Sequence, residues 1–314
     1  MKEIYLTQKN NDLKRPAPCE NIETGVWIHL SSPDISELEE TELLTGIPQE
    51  YLKAALDDEE RPRIEYEDGN TLIIIDTPER TEDGSVHLYD TLPLGILINE
   101  KFIVTVCIRN SAVIDEFRLG KVSNCYTFKR TRFLLQILYK NSQYFLKYLR
   151  TIDKTTELVE ELLQKSMKNK ELIELLNLEK SLVYFSTSLK ANEVVLEKIM
   201  KFRPVKMYED DTDLLEDVII ENNQAIEMAN IYSNILSGMM DAYASIINNN
   251  MNHIIKILAS VTIILSVPTM IASFFGMNVP LPFQNDPNMT ILIFLASLII
   301  SISLGLIMWK KEFI

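Results

Sequence analysis

The chain has 314 residues, 45 acids against 31 bases and a formal charge of −14, with a mean hydropathy of +0.02. The average conceals two unlike parts: residues 251–314 hold three Lys and two acids, a net of +1, which leaves −15 for the first 250 residues. That division argues against a single soluble domain, and the deficit of clustered Lys and Arg argues against binding nucleic acid.

The N-terminus reads MKEIYLTQKNNDLKR, with no apolar h-region, so no secretory signal is expected and the bulk of the chain is placed in the cytoplasm. Residues 26–30, 63–66, 72–76, 94–98 and 102–108 read as strands rich in β-branched and apolar side chains, with turns at Gly69-Asn70 and Asn99-Glu100. Helical stretches at 35–44, 49–56 and 111–118 alternate with them, giving an α/β domain over 1–125. From 126 to 204 the pattern is helical: Leu134, Ile137, Leu138, Phe145 and Leu149 keep the helical period. An interruption near Lys168 to Lys170 predicts two long antiparallel helices, ended by Pro204. Over 205–256 the helical pattern, unbroken from Asp213, predicts a stalk that continues into the following apolar run. No Lys or Arg lies between Lys206 and Lys256, while nine acids do, Asp217 and Asp241 among them. A solvated acidic face is the ordinary meaning of such a run. In a closed assembly of several copies, the same carboxylates would repel one another until a divalent cation relieved them.

Residues 257–275 and 289–309 carry no charge and are each long enough to cross about 30 Å of hydrocarbon as a helix. Lys256 precedes the first, and Lys310 and Lys311 follow the second, whereas the connection 276–288 has no base and one acid, Asp286. The excess of positive residues places both termini, including the tail 310–314, in the cytoplasm and the connection outside, with Trp309 at the interface. In the first span Thr262, Ser266, Thr269 and Ser273 fall on one helix face. The same rhythm runs back through Leu258, Ile255, Asn252 and Asn248 and forward to Gly276. Such a row is either glue between helices or a pore lining, and a pore built from two spans needs several copies in a closed ring. As a lining, Ile255 and Leu258 would form apolar rings able to gate by dewetting.

The first span ends in Gly276-Met277-Asn278. With two C-terminal spans behind a long soluble domain, this arrangement resembles the CorA family of magnesium transporters, the two-span Gly-Met-Asn class. The stretch 61–77, RPRIEYEDGNTLIIIDT, also resembles that family's first domain. The resemblance implies an α+β membrane protein: an N-terminal α/β cytoplasmic domain, a long helical stalk and two transmembrane helices. It further implies a homopentamer in the cell membrane that takes up hydrated Mg²⁺ passively. In it, Gly276, Met277 and Asn278 form the selectivity filter. Asp241, Asn248, Asn252, Ile255, Leu258, Thr262, Ser266, Thr269 and Ser273 line the pore, and Ile255 and Leu258 gate it. The Met form of the motif is similar to that of magnesium importers, a Val form to zinc-transporting relatives. LLEDV at 214–218 resembles the family's regulatory segment, so Asp217 is expected to bind a regulatory Mg²⁺ between subunits. The usual partner carboxylate falls at Ala54, and Asp57 or Asp58 would take its place. The connection VPLPFQNDPNMT lacks the glutamate that members often carry after the motif.

Co²⁺, Ni²⁺ or Zn²⁺ transport on the same scaffold, and a non-conducting membrane-anchored scaffold or sensor, are the alternatives. The three Cys (Cys19, Cys107, Cys125) and three His (His29, His87, His253) share no ligand spacing, and neither a nucleotide loop nor an HExxH sequence occurs, so an enzyme is not expected.

Overall fold

The computed structural model describes residues 1–7, 16–19, 23–81, 88–166, 169–278 and 288–311. They fall into two compact units, Met1–Gly238 and Met239–Ile314. The first is built on a seven-stranded sheet in the order β2-β1-β3-β7-β6-β5-β4. Its strands are β1 (Lys2–Leu6), β2 (Ala17–Pro18), β3 (Trp27–Ser31), β4 (Arg63–Glu67), β5 (Asn70–Arg80), β6 (Tyr89–Ile98) and β7 (Ile103–Cys107). All neighbours pair antiparallel except β3 with β7.

The sheet is buried on both faces, which is why its central strands read as unbroken apolar runs. Alternate residues of β5 divide between two cores: Ile73 and Ile75 face one, Leu72 and Ile74 the other. The second face is covered by α1 (Ile35–Thr45) and α2 (Gln49–Ala54). The first is covered by α3 (Ala112–Arg118), the long α4 (Arg130–Ser166) and α5 (Asn169–Phe202), and the start of α6 (Glu209–Phe275). Phe145 of α4 meets Phe185 of α5 edge-on at 5.1 Å. Asn141 and Asn192 both donate to the Asp76 carbonyl, at 2.8 and 2.9 Å, so α4 and α5 run antiparallel. Up to Gly238, α6 returns along α5: Asn222 donates to the Leu189 carbonyl, Ser186 to Asn230 and Ser237 to Glu179.

Four expectations change in detail. The N-terminus supplies β1 and the edge strand β2, because Ile4 and Leu6 alternate with Glu3 and Tyr5 in the strand period. β5 and β6 extend well past the apolar runs and pair as far as Arg80 with Tyr89, carrying Pro78 and Pro93 within them. The turn between β4 and β5 is Asp68-Gly69, both at positive φ, one residue earlier than Gly69-Asn70. α6 begins at Glu209 rather than Asp213, since the Asp211 carboxylate accepts the Tyr208 amide at 3.1 Å and closes the helix start. The expected interruption at 168 touches residues outside the described set, as does His87.

His29 is buried against Thr105, and burial lowers its imidazole to about 4. Cys107 and Cys125 lie in the core, where burial raises both thiols.

Gly95 of β6 allows α2 to approach the sheet: a Cβ there would lie 2.7 Å from the Ala55 Cβ. Gly95→Ala should therefore lower stability by about 1–3 kcal/mol through overpacking. A thermal melt of the full-length variant that matches the parent would show that α2 yields freely at this contact.

Candidate functional site

The second unit holds the remainder of α6 and α7 (Met289–Lys310). Both helices contain windows apolar and long enough to cross a membrane, of mean hydropathy 2.1 and 2.8. Only 6% and 11% of those windows is buried within the protein. Core helices of a soluble protein would bury most of that surface, so these two present an apolar exterior that water does not accommodate.

α6 has two distinct sides here. One is turned to α7: Ser260 is fully buried, and Ile257, Ile264, Val267, Pro268 and Ile271 are half-buried. On α7 the matching positions are Ser297 and Ser301, 6% and 7% exposed. Ser301 Oγ donates to the Ile264 carbonyl at 3.4 Å. Gly305 lies beside the same residue, since a Cβ built on it would meet Ile264 Cδ1 at 3.6 Å. The other side carries Ile255, Leu258, Thr262, Ser266, Thr269 and Ser273, all exposed. At 3.6 residues per turn the two rows lie on opposite sides of the helix. Glue between the two spans of one chain is therefore supplied by Ser260, Ser297 and Ser301, and the hydroxyl row is not part of it.

Three of the four hydroxyls in that row donate to carbonyls of their own helix. Thr262 donates to the Leu258 carbonyl at 2.8 Å, Ser266 to Ile263 at 2.8 Å and Thr269 to Leu265 at 2.9 Å. A hydroxyl whose one hydrogen is engaged offers only lone pairs outward. Thr262, Ser266 and Thr269 thus form a line of hydrogen-bond acceptors.

At the end of α6 the Gly276 amide donates to the Ala272 carbonyl at 2.9 Å and the Met277 amide to Phe274 at 3.4 Å, tightening the last turn. Gly276 is absent from the positive-φ residues. Its use is close approach: a Cβ would stand 3.3 Å from the Ala272 carbonyl oxygen. Met277 and Asn278 are exposed. Asp286 and the rest of 279–287 lie outside the described residues, as does the tail beyond Lys311. Towards the other end of α6, Asp241, Asn248 and Asn252 are exposed, and Ile255 and Leu258 are 55% and 66% exposed.

The nine acids between Lys206 and Lys256 are not equivalent. Asp211 is buried in its capping role, and Glu221 accepts the Tyr139 hydroxyl at 3.3 Å. Asp217 is exposed on α6. Asp57 and Asp58 are exposed just after α2, where Asp57 Oδ1 accepts the Glu59 amide at 3.0 Å. Ala54 and Asp57 line one groove of about 630 Å³ with Glu60, Arg63 and Glu65. Arg63 pairs with both of those glutamates. Among the described residues no three His, Cys, Asp or Glu side chains gather to hold an ion within one chain.

Ser260, Pro268 and Gly305 belong to the packed side without standing out in the sequence, where the second span's Ser297, Ser301 and Ser303 form no row comparable with that of the first. The spacing Ser297, Ser301, Gly305, in steps of four, was the available signal for the packed face.

A family model described as CorA-like Mg2+ transporter protein matches residues 23–311. The cobalt/magnesium transport protein CorA of Methanocaldococcus jannaschii is 31% identical over 274 residues, 84% of this chain and 83% of that one. The cobalt/magnesium transport protein CorA of Thermotoga maritima is 24% identical over 286 residues, 86% of this chain and 78% of that one. The complete structure of the CorA magnesium transporter from Methanocaldococcus jannaschii matches with a TM-score of 0.84 and 26% identity, over 100% of this chain and 99% of that one.

The two sides of α6 should respond differently to substitution. Ser297→Leu, forced into the packed face, is expected to cost about 1–3 kcal/mol, whereas Thr262→Ala should leave the melting temperature within a degree or two. Equal losses in detergent-solubilised full-length protein would remove the distinction between the faces.

Proposed function

This chain belongs to the CorA-like Mg2+ transporter family, and we propose that it is a homopentameric channel for passive uptake of hydrated Mg²⁺, closed by Mg²⁺ on its cytoplasmic side. The observation that carries this reading is the acceptor row on the side of α6 turned away from α7. Water bound to a cation directs its hydrogens outward, and Mg²⁺ gives up that water reluctantly. A lining of lone pairs suits such an ion without stripping it. Five copies of α6 with these sides inward would enclose a water path.

In this arrangement the Asn278 carboxamides at the outer mouth accept hydrogen bonds from the arriving hydrated ion. Gly276 and Met277 set the turn that presents them. The ion then passes Ser273, Thr269, Ser266 and Thr262. Leu258 and Ile255 form the apolar constriction, and Asn252, Asn248 and Asp241 receive the ion on the cytoplasmic side. The flanking Lys256, Lys310 and Lys311 favour cytoplasmic termini in the cell membrane, with the connection outside. A negative interior drives uptake by about 2.3 kcal/mol per charge per 100 mV.

For regulation, Asp217 of one subunit and Asp57 or Asp58 of its neighbour supply hard carboxylate oxygens of the kind Mg²⁺ accepts. A cation there holds subunits together, and its loss at low internal Mg²⁺ loosens the ring.

Co²⁺ is a second cargo to consider, because the relatives from Methanocaldococcus jannaschii and Thermotoga maritima are named cobalt/magnesium transport proteins. Zn²⁺ and Ni²⁺ are less suited to a row that contains no Cys or His. A non-conducting scaffold would have no use for acceptors on the side away from α7.

In liposomes holding low internal Mg²⁺, Asn278→Ala should reduce Mg²⁺ uptake by at least about tenfold. Uptake equal to the parent would remove Asn278 from the filter, and no uptake by the parent would sink the channel reading. Parallel Co²⁺, Ni²⁺ and Zn²⁺ flux ranks the cargoes. Asp217→Ala should raise the internal Mg²⁺ needed for half-inhibition several-fold. An unmoved inhibition curve would place the sensor elsewhere.

A further inference from the structure

Pro268 stands within the helical run of α6 and has no amide hydrogen for the Ile264 carbonyl four residues before it. In hydrocarbon no water is at hand for an orphaned carbonyl, and a neighbouring helix or hydroxyl must serve it. Three successive carbonyls at this joint each take a hydroxyl. Ser266 donates to Ile263 and Thr269 to Leu265, both from α6 itself. Ile264, the carbonyl that Pro268 leaves without its amide, takes Ser301 from α7 at 3.4 Å.

We infer that Ser301 is a positioning residue for conduction: its hydroxyl replaces the amide missing at Pro268 and ties the proline joint of the pore-lining helix to α7. The inference rests on the reading of α6 as pore lining. Ser266 and Thr269 flank the joint on the opposite side of α6, so any rotation of α6 about Pro268 that re-aims them must break or carry with it the bond to Ser301. Ser301 is 7% exposed, and a Cβ built on Gly305, one turn on, would meet Ile264 Cδ1 at ordinary contact distance. Ser303 makes a natural control: it is exposed and its hydroxyl returns to Ile299 of its own helix at 2.8 Å.

The test is a double-mutant cycle in full-length protein reconstituted in liposomes. Pro268→Ala restores an amide to the Ile264 carbonyl and makes Ser301 redundant. Ser301→Ala in the parent should move the internal Mg²⁺ concentration for half-inhibition by about threefold or more, the size of one interhelical hydrogen bond in a bilayer. The same change in the Pro268→Ala background should leave that concentration unmoved, and Ser303→Ala should leave it unmoved in either. An equal shift in both backgrounds, or none in the parent, overturns the inference. If no variant and no parent conducts Mg²⁺, the pore reading has failed, and the cycle is read in thermal unfolding instead. There, a loss on Ser301→Ala confined to the Pro268 background supports the bond, and an equal or absent loss refutes it.

Discussion

Inside hydrocarbon every polar hydrogen must find an acceptor within the protein. That requirement governs the chemistry of the second unit. Thr262, Ser266 and Thr269 meet it whether or not water reaches them, because each donates to a carbonyl of its own helix. The outward consequence is a surface of oxygen lone pairs with no formal charge. Such a surface attracts hydrated cations too weakly to trap them, which a conducting path requires. It also avoids burying an ionised side chain in the bilayer. The net charge of +1 over 251–314 is thus compatible with the proposed cation passage, in which the ion's own water would carry the positive hydrogens to the lining.

The acidic unit works by the opposite device. Its sheet is closed on both faces by helices, so its carboxylates are left for the surface and for α6. Some are spent on structure: Asp211 closes a helix start and Glu221 accepts Tyr139. Glu60 and Glu65 are held by Arg63. Asp57, Asp58 and Asp217 remain exposed. Two carboxylates brought within about 4 Å repel by about 1 kcal/mol in water and by about 4 at an effective dielectric of 20. In the proposed ring, sums of that size would be comparable with the stability of a subunit contact, and a shared divalent ion would reverse their sign.

Much of this was legible in the sequence because the signals are strong and local. Uncharged runs of bilayer length, a hydroxyl row at helical spacing and β-branched strand cores each follow from one physical rule. What escaped was either weak or non-local. β5 and β6 continue through Pro78 and Pro93, residues that normally end a strand and are tolerated here within an otherwise long hairpin. β1, between the two-residue edge strand β2 and β3, has a short, charged sequence that gives little hydrophobic contrast. The packed face of α7 was obscured because Ser297 and Ser301 align with Gly305, a residue with no side chain to notice, and not with Ser303. The proposed regulatory pair leaves no local pattern in the sequence, since its carboxylates would come from different subunits.

The proposed gate is thin, and that bears on how it must be held. Ile255 and Leu258 are one helical turn apart, about 4.5 Å along the axis, and Thr262 and Ser266 above them carry hydroxyls. A longer apolar barrier would exclude water by its length alone. A barrier of a single turn excludes water only while the side chains stay close together, so modest widening should wet it. In the proposed channel the closed state would therefore depend on whatever fixes α6 from either side of this turn. On the membrane side the Ser301 bond at the proline joint restrains the helix against its partner. On the other side, the exposed carboxylate of Asp217, carried by the same helix, gives a cation something to hold. A weak gate with two external restraints would respond to small changes in either, which is the behaviour the proposed feedback control needs.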